Sequence, residues 1–221
     1  MTSGMHKNIN KNEKNHRDLE SIEVLSRFGI EQKNIFFLGR KLSINNNKLY
    51  KSMDKAYNEL FQIIKNIKGK KIIFTHALEG GHEDHDACFY LAKLIFFKNK
   101  SIYNAYQFPA YNGKKMPYIF FKVFSPITEN GKIFKKKFKF QDRLKFIYLL
   151  FFYKSQKKIW FGLYPFVIFK FLFSKTDLIQ EINKKIKIRR PHDGKLLYEK
   201  RGFCDYKLFE KKVFYFLKKN I

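Results

Sequence analysis

Apolar residues along the chain fall into two kinds of pattern. From His16 onward Leu19, Ile22, Val24, Leu25 and Phe28 recur at helical spacing, and Gly29 follows as a stop. Met53–Ile67 is predicted to be an amphipathic helix, with Ala56, Leu60, Ile63, Ile64 and Ile67 on one side. A further helix is expected from about Asp86, carrying Leu91, Leu94 and Ile95, and a last one from about Tyr206. Short apolar runs predict strands at Asn34–Leu38 and Lys71–His76, and Ile102–Phe108 reads as another strand. Met1–Gly4 reads as the end of a strand and His6–Asn15 as a polar loop. Asn45-Asn46-Asn47 reads as a turn, and Arg190–Gly194 as a loop. Phe120–Phe140 is predicted extended, and Asp142–Phe173 helical with breaks near Gly162 and Pro165. Strands alternating with helices through the first half predict an α/β fold of three layers with a mostly parallel sheet. Residues 1–118 are expected to form its core. Residues 119–221 form a helical and basic C-terminal part of the same single domain.

The most apolar stretch, Phe146–Phe173, is interrupted by Lys154, Lys157, Lys158 and Lys170, so its longest uncharged piece is Ile159–Phe169. A spanning helix needs about 20 nearly uninterrupted apolar residues, which excludes a transmembrane span here. Phenylalanines, Trp160 and Tyr164 between lysines fit either an anionic membrane surface or a buried helix pair with solvated lysines. The buried pair is the reading taken. Met1–Asn15 has no apolar segment of the signal-peptide kind. The expected location is therefore the cytoplasm, with peripheral contact to an anionic membrane left open.

Composition changes this picture little. The 221 residues include 46 Lys and Arg against 19 Asp and Glu, a formal net charge of +27. An aromatic content of 19% excludes a disordered polybasic tail. Two cysteines, Cys88 and Cys204, exclude a disulfide framework. Lys, Asn, Ile, Phe and Tyr are enriched together, as coding from an A/T-rich genome would produce. No helix-turn-helix, zinc-finger or single-strand-binding signature accompanies the charge, so no nucleic-acid partner is expected.

The chemistry lies in the thirteen residues Thr75-His76-Ala77-Leu78-Glu79-Gly80-Gly81-His82-Glu83-Asp84-His85-Asp86-Ala87. They sit between a predicted strand and a predicted helix, where open α/β sheets place ligands. Two histidines three apart among carboxylates suit a divalent metal, with the carboxylates orienting the rings. A bare His-x-x-His pair says little, since zinc needs a third ligand. The full string is far more specific.

That string resembles the second signature of the PIG-L/LmbE-like zinc-dependent deacetylases, the family of N-acetylglucosaminyl-phosphatidylinositol de-N-acetylase. Other segments agree with the resemblance: Arg17-x-x-Glu20, Phe37-Leu38-Gly39, Tyr153-x-Ser155-Gln156 and Arg190-Pro191-His192-x-Gly194-x-Leu196-Leu197-Tyr198-Glu199. The resemblance implies a Rossmann-like fold and a metal-dependent N-deacetylase of an N-acetylated sugar in glycan or glycolipid assembly. It implies that zinc polarises the acetamide carbonyl and activates a water. His85 would ligate that zinc. His82 would stabilise the oxyanion or protonate the leaving amine, with Asp84 orienting it. Arg17, Asn46 and His192 would contact the substrate.

One signature of the family is missing. Ala-His-Pro-Asp-Asp-Glu, which supplies two zinc ligands and the general base, does not occur in these residues. The expectation is an N-terminally truncated form that lacks a strand, a loop and a helix, on the order of 30–40 residues for one βα unit. Three explanations then stand: a misassigned start, with a longer and active native protein; a split or decayed gene that leaves an inactive remnant; or a non-catalytic protein that binds a sugar or a membrane surface. The first two are the readings taken.

Overall fold

The computed structural model describes residues 11–156 and 161–221. The strand end expected at Met1–Gly4, the start of the expected loop at His6, and Trp160 lie outside the described residues. In chain order the elements are α1 (Lys11–Ser26), α2 (Leu38–Lys41), α3 (Met53–Asn66), β1 (Lys71–His76), α4 (Glu83–Lys98), β2 (Ile102–Phe108), β3 (Tyr111–Asn112), β4 (Lys122–Val123), β5 (Ile133–Lys137), α5 (Phe140–Leu150), α6 (Tyr164–Phe173), β6 (Thr176–Glu181), α7 (Leu197–Lys200) and α8 (Tyr206–Asn220). The fold is mixed α/β, with a four-stranded mixed sheet ordered β1-β2-β6-β5.

The chain divides into two compact units, each discontinuous in sequence. The first comprises residues 47–135 and 178–221. Its centre is a β1–α4–β2 crossover in which the two strands pair in parallel, from Ile72 opposite Asn104 to His76 opposite Phe108. α4 packs against both strands, and Ala87, Leu91, Leu94 and Ile95 are almost fully buried. Burial of Leu49, Ala56, Phe209 and Val213 closes the core around it with α3 and α8. β1 stands at the end of the sheet order, and its Ile72 and Phe74 are 55% and 58% exposed.

The sheet is not parallel throughout. β6 pairs antiparallel with β2, Gln107 opposite Gln180 and Tyr106 opposite Glu181. β6 was not expected from the pattern: Thr-Asp-Leu-Ile-Gln-Glu lacks the unbroken apolar run of a buried parallel strand.

The second unit comprises, among the described residues, 11–46, 136–156 and 161–177. Phe146 gathers Phe28, Phe138 and Phe171 around it, with ring centroids 6.0, 5.4 and 5.5 Å away. Arg143 is buried and donates to the carbonyls of Phe171 (3.1 Å) and Leu172 (2.8 Å) at the end of α6, satisfying groups the helix leaves open.

Several expectations are corrected. Asn34–Leu38 is not a strand: a 3-10 turn occupies Gln32–Asn34 and α2 begins at Leu38. The run is too short to hold itself extended without a neighbouring strand. α1 begins at Lys11, inside the segment read as a loop, because lysine and glutamate extend a helix readily. α4 begins three residues earlier than expected, because His82 caps it. The buried helix pair also fails for α6. Only Val167 is buried there, and Phe169 and Phe173 are 65% and 68% exposed. Among the described residues no helix is long and apolar enough to cross a membrane.

Candidate active site

The thirteen-residue string joins β1 to α4 within the first unit, at the carboxyl end of β1. His82 is the N-cap of α4, and its Nδ1 accepts the Asp84 N–H at 3.1 Å. A serine or aspartate oxygen usually does this work. An Nδ1 that accepts leaves the ring proton on Nε2. Glu83, Asp84 and Asp86 fill the first turn, where negative charge suits the helix dipole.

The two glycines are required by close approach. A Cβ on Gly81 would lie 1.9 Å from the Tyr111 carbonyl oxygen. Gly80 has φ of 69°, and a Cβ there would lie 2.7 Å from Leu196 Cδ2. The Gly80 carbonyl accepts the Leu197 N–H at 2.9 Å.

The carboxylates of the string serve as straps. Glu79 Oε1 accepts from the Ala110 and Tyr111 N–H groups at 2.9 and 3.1 Å. Asp86 Oδ1 accepts from Glu79 and Gly80 N–H at 3.0 and 3.2 Å. Asp84 Oδ2 accepts from Asn47 N–H at 2.7 Å and its Oδ1 from Leu49 N–H at 3.0 Å. Glu83 Oε1 accepts from Asn47 Nδ2 at 2.7 Å. Burial pushes the Asp86 carboxyl up to about 7 and Glu79 well above its ordinary range, while their backbone donors pull the other way. Asp84 was expected to orient His82 through its carboxylate. Its carboxylate is instead taken by the Asn47 and Leu49 backbone, and its own N–H meets the ring.

Three histidines stack. The His76 and His85 rings lie 3.8 Å apart and 2° from parallel, and His82 lies 5.1 Å from His85. Burial lowers His76 to about 4 and His85 well below the ordinary imidazole value, with the neighbouring histidines acting in the same direction. Both are therefore neutral at pH 7, the form that binds metal. Their Nδ1 atoms are buried without a hydrogen-bond partner.

This donor set does not fit zinc. Lone pairs of an imidazole lie in the ring plane, so two parallel stacked rings cannot direct them at one ion. Among the described residues no group of three His, Cys, Asp or Glu side chains is arranged to hold a metal. A catalytic zinc needs three protein ligands, and the stack does not supply them.

The structure brings His82, Asp84 and His85 together. His192 belongs to the same unit and is buried. Its Nδ1 lies 2.7 Å from the Asp193 carbonyl, and its Nε2 has no partner. Arg17 and Asn46 belong to the second unit. There the Glu20 carboxylate accepts from the Ser155 N–H (2.8 Å) and hydroxyl (2.5 Å), so the Arg-x-x-Glu and Tyr-x-Ser-Gln segments meet. Burial lowers the Arg17 guanidinium pKa against the opposing pull of Glu20 and Asp18. The residue that reaches the string is Asn47, next to the expected Asn46. Its φ of 62° is a conformation asparagine tolerates better than most residues, which is the signal that could have singled it out. His76, the last residue of β1, stands in the stack.

No protein-family model, no curated protein and no solved structure matches the chain.

Proposed function

We propose that the chain is an N-deacetylase of the kind its thirteen-residue string resembles, acting on an N-acetylated sugar in a glycan or glycolipid. The observation that supports this reading is the fixed placement of His82, Asp84 and His85 at the carboxyl end of β1. With Nδ1 engaged by the Asp84 N–H, His82 offers Nε2–H as a donor to an acetamide oxygen as negative charge develops there. The buried straps hold that donor in place, so it needs no reorganisation during reaction. His85 is the one zinc ligand the resemblance assigns within these residues, and further donors would have to come from elsewhere. Arg17, Asn46 and His192 keep their sugar-contact role on the strength of the resemblance alone. On this reading the β1–α4–β2 crossover belongs to a Rossmann-like sheet whose third layer would cover Ile72 and Phe74.

The test is release of primary amine from an N-acetylglucosamine conjugate with zinc added. Release that is lost in both His82→Ala and His85→Ala supports the reading. No release, with binding to anionic vesicles retained, favours a second one.

The second reading is a non-catalytic protein on an anionic membrane surface. The exposed Phe166, Phe169 and Phe173 of α6 beside Lys170 favour it. Sedimentation with phosphatidylserine vesicles that weakens in Phe169→Ser would support it. Equal sedimentation of that variant would remove its motive.

A further inference from the structure

A cavity of about 200 Å³, lined by none of the histidines, lies in the first unit between α4, the 129–130 turn and the 182–189 segment. Its chemistry is one-sided. Lys93 of α4 lines it and is 8% exposed. The Lys93 ammonium lies 5.4 Å from the centre of the Phe89 ring. It makes no hydrogen bond and no ion pair with any described residue. Arg189 lines the same cavity. Its Nη2 donates to the Glu129 carbonyl (3.1 Å) and to Asn130 Oδ1, while Nε and Nη1 have no partner among the described residues. Lys185 and Lys187 also line it, with exposed side chains at its mouth.

The lining contains one carboxylate, Glu129, and it is already engaged. Glu129 is exposed and holds Lys114 through both oxygens, with Thr128 donating to one of them. It therefore does not neutralise Lys93.

An ammonium that opens into the cavity from a largely buried side chain, beside a guanidinium and without an acidic partner, carries a desolvation cost. Burial and the Arg189 charge both lower the Lys93 pKa, to about 8, so the group is still mostly charged at pH 7. Only an acceptor from outside the chain relieves this arrangement. A lysine point charge, an arginine with free planar donors and two flexible lysines at the rim suit a compact oxyanion with several acceptor oxygens.

We propose that this cavity is a binding site for one phosphate group, with Lys93 and Arg189 as its floor and Lys185 and Lys187 as its rim. It is independent of the deacetylase reading. The phosphate is either that of a soluble phosphorylated molecule or that of a lipid headgroup.

The probe is inorganic phosphate, titrated calorimetrically into the full chain at fixed ionic strength. One saturable site is expected, weakened about tenfold or more in Lys93→Met by loss of a charge-assisted hydrogen bond. Lys187→Gln should weaken it less. Lys65→Gln, an exposed lysine on α3, should leave it unchanged. Because Lys93→Met could disturb packing, the rim variant and the rise in melting temperature of the native chain with phosphate serve as separate readouts. Absence of saturation overturns the proposal, as does equal loss in Lys65→Gln, which would mark diffuse attraction to a basic chain. Phosphatidic acid vesicles separate the two sources. Sedimentation that depends on Lys93 and is displaced by inorganic phosphate assigns the headgroup. Sedimentation indifferent to Lys93 assigns the soluble ligand.

Discussion

The His76 and His85 rings lie face to face, 3.8 Å apart, with the Nδ1 of each buried and unpaired. One comes from the end of β1 and the other from the first turn of α4, so the crossover itself sets their separation. The stack is favourable only while both rings are neutral, and burial keeps them so.

Zinc binding follows from this geometry. With one suitably placed ligand, zinc should bind orders of magnitude more weakly than structural sites, which hold it by roughly 10–16 kcal/mol. What binding exists should vanish in His85→Ala. Competition against a chromophoric chelator measures it. Tight one-to-one binding would show that the rings reorient and that the donor set is larger than the stack permits.

The Asp84 straps predict a stability effect separate from any catalysis. Asp84→Ala removes the acceptor of two backbone N–H groups, those of Asn47 and Leu49. Leaving buried donors unsatisfied costs about 1–3 kcal/mol each, so a loss of several kcal/mol is expected by urea denaturation. Asp84→Asn should lose less, since its amide oxygen still accepts. A neutral result for the alanine variant would mean that water replaces the carboxylate.

Gly81→Ala should be severe for a different reason. The added Cβ would meet the Tyr111 carbonyl oxygen at 1.9 Å, and that carbonyl belongs to a backbone pinned by Glu79. Gly162→Ala has nothing within 4 Å and serves as the control. A drop in melting temperature confined to the Gly81 variant is the expected result. Equal melting temperatures would place the loop elsewhere.

How much of this was legible depends on where the information resides. β1 and β2 appeared at their observed bounds: Ile72-Ile73-Phe74 is a short apolar run, and β2 is rich in aromatic and branched residues. α8 appeared at its observed start, Tyr206. Asn34–Leu38 looked the same on paper and is not a strand, because pairing depends on a neighbour that local pattern does not encode. α6 was misread for a related reason: a run of phenylalanines looks alike whether covered or exposed. At the site, His82, Asp84 and His85 were carried by one specific string. Asn47 and the Leu49, Ala110 and Tyr111 partners of the carboxylates were not, because each is defined by a contact between distant segments. His76 lay in the string, but its stacking on His85 did not show there. Lys93 looked like any lysine on a basic chain until its burial was known.

The exposed end of the sheet carries its own expectation. Ile72 is more than half exposed on a terminal strand, which is the setting for edge-to-edge association. Ile72→Lys should reduce light scattering on heating while changing unfolding stability by less than about 0.5 kcal/mol, as for other surface substitutions. Unchanged scattering would place the association surface on α6 instead.

Lys93 gives the pH dependence with the clearest sign. Its folded pKa, about 8, lies below its ordinary value of 10.5, so between those limits the unfolded chain binds more protons than the folded one. Its contribution to stability therefore rises with pH across that window, and below pH 8 its burial is a steady penalty. The charged groups around it are Arg189, Lys185 and Lys187 on the 182–189 segment and Glu129, held by Lys114, on the turn. The other lysines of a chain of net charge +27 also relax as pH rises. The informative quantity is thus the difference between native protein and Lys93→Met. That variant should melt higher at pH 7, and its advantage should shrink by pH 10. Phosphate should reverse the order at pH 7, since only the native cavity keeps its cation. A Lys93→Met difference independent of both pH and phosphate would make Lys93 a packing residue whose charge does no chemistry.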